Sequence, residues 1–206
     1  MSTAEQLTRH EAARMTVEAF LALPGDGTGR IFELVHGEIR AQDAASDAHG
    51  SIQQRLGIIL GNHIDANRPG CRVVANPGIK PRLLAKWNYR IPELGVTCTP
   101  NRADVRETPD PILLVEVLSP TNEADTWSNV PLYATLPSVQ EILLVDSSKV
   151  EAMLLRRGAD GNWPQEPQAI VAGGVIELTS IGLEVTLAEV YRDTHLAGGS
   201  TAFART

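Results

Sequence analysis

The sequence predicts a single α/β (α+β) domain: a central mixed β-sheet flanked by α-helices, with an N-terminal β-hairpin. Three observations predict it. Short β-branched and aliphatic runs, broken by Pro, Gly and Asn, dominate from residue 71 to 119. Helix-patterned segments lie before and after them. No internal repeat or low-complexity block divides the chain. At 206 residues there is room for one ordinary domain and hardly for two. An apolar fraction of 43% supplies a core, and with 4% aromatics that core must be built from Leu, Ile, Val and Ala. The expected boundaries are a tail over 1–14, the domain over 15–193 and a second tail over 194–206.

The first helix begins near Thr16, a good N-cap, and runs through VEAFLAL until Pro24 and the glycines of GDGTG stop it. IFELVHGEIRAQ then reads as two short strands around a His36-Gly37 turn. Asp43 to Asp47 is a polar connector. In AHGSIQQRLGIILGNHIDAN the apolar positions 52, 56, 59, 60 and 64 make an amphipathic helix, ended by Asn67, Pro69 and Gly70. CRVVA, GIKPRLL, IPELGVT and PILLVEVLS follow as strands. NEADTWSNVPLYATL is expected to be helical, with Pro131 in its first turn or bending it. EILLVD and VEAMLLRR are two further strands around Ser147 to Lys149. Beyond the loop over 158–167, weak strand patterns occupy 168–171 and 174–178, and a short helix lies near 186–192.

Composition sets limits on function. No apolar stretch reaches bilayer length and the polar N-terminus lacks a signal-peptide core, so the expectation is a cytoplasmic protein with no membrane partner. Cys71 and Cys98 have no ligand-like spacing and read as two separate, semi-buried thiols. A net charge of -7 counts against nucleic-acid binding. Arg72, Lys80, Arg82, Lys86, Arg90 and Arg102, set against Glu93 alone, soften that objection locally.

The chemistry concentrates in PILLVEVLSP, where Glu116 interrupts a run long enough for a strand covered on both faces. Alternation puts Glu116 on one face with Leu114 and Leu118. A lone buried carboxylate there is costly unless it is paired, protonated or bound to a cation. Glu93, in RIPELGVT, is the candidate partner. Two carboxylates on neighbouring strands repel one another unless a divalent cation neutralises them, and oxygen-only ligands suit magnesium or manganese. The competing reading pairs each glutamate with a nearby cation such as Arg90.

The ordered segments FELVHGEI, DAHGSI, RIPELGV, ILLVEVLSPT and LYATLPSVQEILLVD, spanning nearly the whole chain, resemble the Uma-two family. That bacterial family sits within the PD-(D/E)XK restriction-endonuclease-like superfamily. The resemblance implies a restriction-endonuclease-like sheet with acids presented at its edge. Glu93 falls on the aspartate of the Pro-Asp pair and Glu116 on the acid of the second motif. With the main-chain carbonyl of Val117 they would hold the metal. His49 matches a histidine at the start of the first core helix. It shares the inward stripe with Ile52 and either approaches the site or serves as a core or capping residue. The implied activity is a magnesium- or manganese-dependent endonuclease acting on nucleic acid, DNA foremost. The alternative is a catalytically impaired member that binds nucleic acid or a protein. A homodimer is also compatible with exposed strands.

The departures bear on activity. Glu93 is one methylene longer than the family's aspartate. Leu118 stands where the superfamily has its lysine. Asn129 stands where family members carry another lysine, four residues before Tyr133, while Asp125 matches the pattern. Lys80, Lys86 or Arg90 are the available substitutes for that cation. Glu33 and Glu38 recur in the family pattern, so one is a candidate for the site, although period-two alternation also predicts wet-face acids there. Asp146 reads as a turn cap, and Trp87, Trp127 and Trp163 as packing or loop anchors. GDGTGR lacks a phosphate-loop ending, and Ser119 is not on a nucleophile elbow.

Overall fold

A computed structural model of the chain describes residues 14–25, 27–103 and 105–197. The tails expected at 1–14 and 194–206 lie almost wholly outside the described residues. Thr16 Oγ1 accepts the Ala19 N–H at 3.2 Å and caps α1 (Val17–Leu21). In the hairpin, β1 (Phe32–Val35) pairs antiparallel with β2 (Glu38–Ala41). Its turn residues His36 and Gly37 have φ of 52° and 86°, the consecutive positive values a tight two-residue hairpin turn requires. Ser46 caps α2 (Asp47–Asn67), whose Ile52, Leu56, Leu60 and Ile64 form one buried stripe.

The main sheet has six strands: β3 (Arg72–Ala75), β4 (Leu94–Thr97), β5 (Pro111–Leu118), β6 (Glu141–Asp146), β7 (Glu151–Arg156) and β8 (Gln168–Val171). They lie side by side in that order. All neighbours are antiparallel except β5 and β6, so the sheet is mixed. The parallel pair is joined by α3 (Glu123–Ala134), the crossover that parallel neighbours require. Odd positions of β5 (Leu113, Val115, Val117) pack with α2. That layer also takes in a small unit of β9 (Val175–Leu178), β10 (Leu183–Thr186) and α4 (Leu187–Val190), whose Thr186 and Glu189 form a capping box. Even positions Leu114 and Leu118 pack with Val130 and Tyr133 of α3. Coverage on both faces explains why β5 and β6 are nearly continuous apolar runs.

Several expectations are corrected. Cys71 and Cys98 are not separate thiols; they form a disulfide. They flank the antiparallel β3/β4 pair, and the Arg72–Thr97 register sets them opposite one another. GIKPRLL is not a strand. It contributes only the isolated bridges Gly78–Glu107 and Ile79–Arg90, because Pro81 has no N–H to extend a ladder. Pro131 lies in the C-terminal half of α3 and not in its first turn. The strand β10 went unforeseen, although Leu183 and Val185 alternate with Glu184 and Thr186. Among the described residues no helix is long and apolar enough to cross a membrane.

Candidate active site

Glu116 sits near the C-terminal end of β5, on the α3 face, buried to 5% exposure. One of its oxygens accepts from Tyr133 Oη at 2.7 Å and from Asn129 Nδ2 at 3.2 Å, both projecting from α3. Glu93 is not inside a strand as expected. It occupies the bend just before β4, where the chain leaves the ladder. That departure strips the Val117 N–H of a strand partner, and Glu93 Oε2 accepts it at 3.1 Å instead. His49 Nε2 hydrogen-bonds Glu93 Oε1 at 3.0 Å. The His49 ring reaches the acid, and the cap of the helix is Ser46, whose Oγ accepts the His49 backbone N–H at 3.2 Å.

The Glu93 and Glu116 carboxyls lie close enough that each acts on the proton affinity of the other. Burial, then the charge of Glu93, pushes Glu116 well above the usual carboxylate range. Burial also pushes Glu93 up, but the hydrogen bonds from His49, Glu116 and the Val117 N–H outweigh it and the net shift is downward. Of the pair, Glu93 therefore gives up its proton the more readily and Glu116 the less. Tyr133 is raised well above its ordinary value by burial and by the charge of Glu116.

The pair opens into a cavity of about 800 Å³ between the hairpin, the start of α2 and the start of α3. Of the auxiliary residues expected, Asn129, Asp125 and Arg90 line it. Asn129 replaces a lysine's charge with a neutral donor to Glu116. Asp125 is exposed and pairs with Arg40 at 3.5 Å. Lys80 and Lys86 do not line the cavity, and Lys80 is held by Glu18 at 3.3 Å. Glu38 is exposed and also outside the lining; its neighbour in the hairpin, Glu33, lines the cavity instead. Glu33 Oε1 accepts the Ile91 N–H at 2.6 Å, and burial raises its proton affinity. Glu33 was recoverable: it interrupts the apolar run IFELV in the same way that Glu93 and Glu116 interrupt theirs. Val117 borders the pair through its N–H, while its carbonyl has Asn122 Nδ2 at 3.5 Å.

Neither Glu93 nor Glu116 is clasped by an arginine or lysine among the described residues. No group of three or more His, Cys, Asp or Glu forms a metal-binding cluster there. Two neighbouring carboxylates beside a roomy cavity nevertheless fit a hard divalent cation, which takes one or two carboxylates and completes its shell from water and substrate. The remaining acids carry structural duties. Asp146 Oδ1 accepts from Ser148 and the Lys149 N–H, as its reading as a turn cap requires. Glu141, fully buried, is held by Arg156, Thr179 and Ser180.

A mixed sheet presenting paired acids beside a helix-walled cavity defines a restriction-endonuclease-like domain. The chain belongs to the Uma2 family, described as "Putative restriction endonuclease", which matches residues 17–188. It is 36% identical over 162 residues to "Uncharacterized protein slr1290" of Synechocystis sp. (strain ATCC 27184 / PCC 6803 / Kazusa), a match covering 78% of this chain and 83% of that one. Its fold is similar to the crystal structure of a "putative nuclease belonging to DUF820" from Anabaena variabilis ATCC 29413. That similarity has a TM-score of 0.69 at 16% identity and covers 86% of this chain and 98% of the other.

Proposed function

We propose that this protein is a divalent-cation-dependent endonuclease hydrolysing phosphodiester bonds in nucleic acid, with DNA as substrate and magnesium or manganese as the cation. The observation that carries the reading is the convergence of Glu93 and Glu116 at a cavity wall, with no arginine or lysine paired to either among the described residues. Such a pair is held at a cost in proton affinity that a cation would relieve. When bound, a divalent cation supplies Lewis-acid polarisation of a phosphoryl oxygen and neutralises charge. The chain's own residues prepare that position. His49 and the Val117 N–H fix the Glu93 carboxylate, and Tyr133 with Asn129 fixes Glu116. Arg30 and Arg40 line the same cavity and would lie beside a phosphate backbone bound there.

Plasmid nicking with magnesium or manganese tests this. Wild type should nick, and Glu116→Ala should lose at least about a hundredfold of the rate. Robust manganese binding with no nicking by wild type would favour a second reading, a nuclease fold that binds nucleic acid without cutting it. One observation favours that second reading: the neutral Asn129 amide occupies the donor position on Glu116 where the family resemblance expects a cation.

A further inference from the structure

Arg90 is among the largest fully buried side chains, at 2% exposure. Its backbone is pinned by reciprocal 2.8 Å hydrogen bonds with Ile79, so the position of its Cα is set by the fold and not by its charge. The guanidinium lies against the same cavity as Glu93 and Glu116. Its Nη2 donates to Asn88 Oδ1 at 3.2 Å, and Asn88 Oδ1 is itself anchored by the His36 N–H at 3.0 Å. Nε has no hydrogen-bond partner at all. Buried guanidinium groups are normally matched by a carboxylate, because an unmatched charge in a protein interior is strongly unfavourable.

Five acids line this cavity (Glu33, Asp43, Glu93, Glu116 and Asp125), and Glu33 and Asp125 are near enough to act on the Arg90 charge, yet none hydrogen-bonds it. Glu33 accepts the Ile91 N–H, Glu93 binds His49 and the Val117 N–H, and Glu116 binds Asn129 and Tyr133. No described acid forms an ion pair with Arg90. A planar fork of donors, left short of acceptors beside a cavity, is suited to two oxygens of one phosphoryl group. We infer that Arg90 is the anion receptor of this site, binding the non-bridging oxygens of a phosphodiester laid across the cavity. It supplies the positive charge that neither Leu118 nor Asn129 provides. The identity of the anion as a phosphodiester rests on the function proposed above; the existence of an anion site at Arg90 does not.

Inorganic phosphate is the probe. It is titrated into the full chain with chelator and, separately, with manganese, and binding is followed by thermal unfolding and by phosphorus NMR line broadening. Wild type should be stabilised by phosphate. Arg90→Met should show none of that stabilisation, and Arg90→Lys should bind about tenfold more weakly or worse, since it keeps charge and loses the fork. If Arg90→Met does not unfold cooperatively, Arg90→Lys carries the comparison. Phosphate binding undiminished in these variants, or no phosphate binding by wild type under either condition, overturns the inference. A parallel manganese titration of wild type and Glu93→Ala/Glu116→Ala separates the two claims. Arg90-dependent phosphate binding without manganese binding removes the metal nuclease and leaves the anion site. Manganese binding with phosphate binding indifferent to Arg90 does the reverse.

Discussion

Replacing Glu116 with glutamine removes one proton-binding group while keeping an acceptor for Tyr133 and Asn129 and adding an amide donor toward Glu93. In wild type the folded-state proton affinity of Glu116 is raised above its unfolded value by burial and by Glu93. The folded state therefore binds the extra proton over the interval between the two pKa values, and stability falls as pH rises through that interval. One proton corresponds to about 1.4 kcal/mol per pH unit. Glu33 shifts in the same direction, and Glu93 in the opposite direction with its window at lower pH, but both remain in the variant. Because Glu116 also acts on Glu93, the difference between the two proteins reports the proton held by the pair. Urea unfolding in chelator, repeated between about pH 5 and pH 8, is the assay. Glu116→Gln should gain on wild type by up to about 1.4 kcal/mol per unit until Glu116 ionises, after which the gap is constant. Parallel profiles across the whole range would refute the placement of an extra proton on the pair.

Tyr133→Phe removes the hydroxyl donor to Glu116 and should cost about 1–3 kcal/mol, read as a lowered Tm with unchanged circular dichroism. Reducing the Cys71–Cys98 disulfide frees a loop of 27 residues and should lower stability by about 3.5 kcal/mol on chain-entropy grounds, measured as a shift of the urea midpoint in dithiothreitol. Glu141→Ala removes the buried acceptor shared by the partly exposed Arg156, Thr179 and Ser180 and should cost about 1–3 kcal/mol without changing any manganese-induced rise in Tm.

The strands around β5 were legible because Leu, Ile and Val runs broken by Pro and Gly leave few alternatives. The two central acids were legible for a related reason: a glutamate inside such a run must have a partner. The same logic applied to Glu33, but its position in a hairpin made a wet-face acid equally consistent, and Glu38 was weighed beside it. Burial settles the choice, and burial depends on how the hairpin packs over the cavity mouth. The disulfide was illegible because 27 residues separate its cysteines and only the β3/β4 register brings them together. Arg90 presented a comparable difficulty. Sequence marks it as one cation in a basic run, yet it is the member of that run that lines the cavity. Tyr133 served as a landmark in the sequence; its hydroxyl contact depends on α3 lying across the even face of β5.

The central claim is that Glu93 and Glu116 converge to share a cation. Anomalous diffraction from crystals soaked in manganese examines it directly. The account predicts a manganese peak in contact with both carboxylates. Crystals that carry manganese elsewhere, or none, with both carboxyls left as they stand would contradict it.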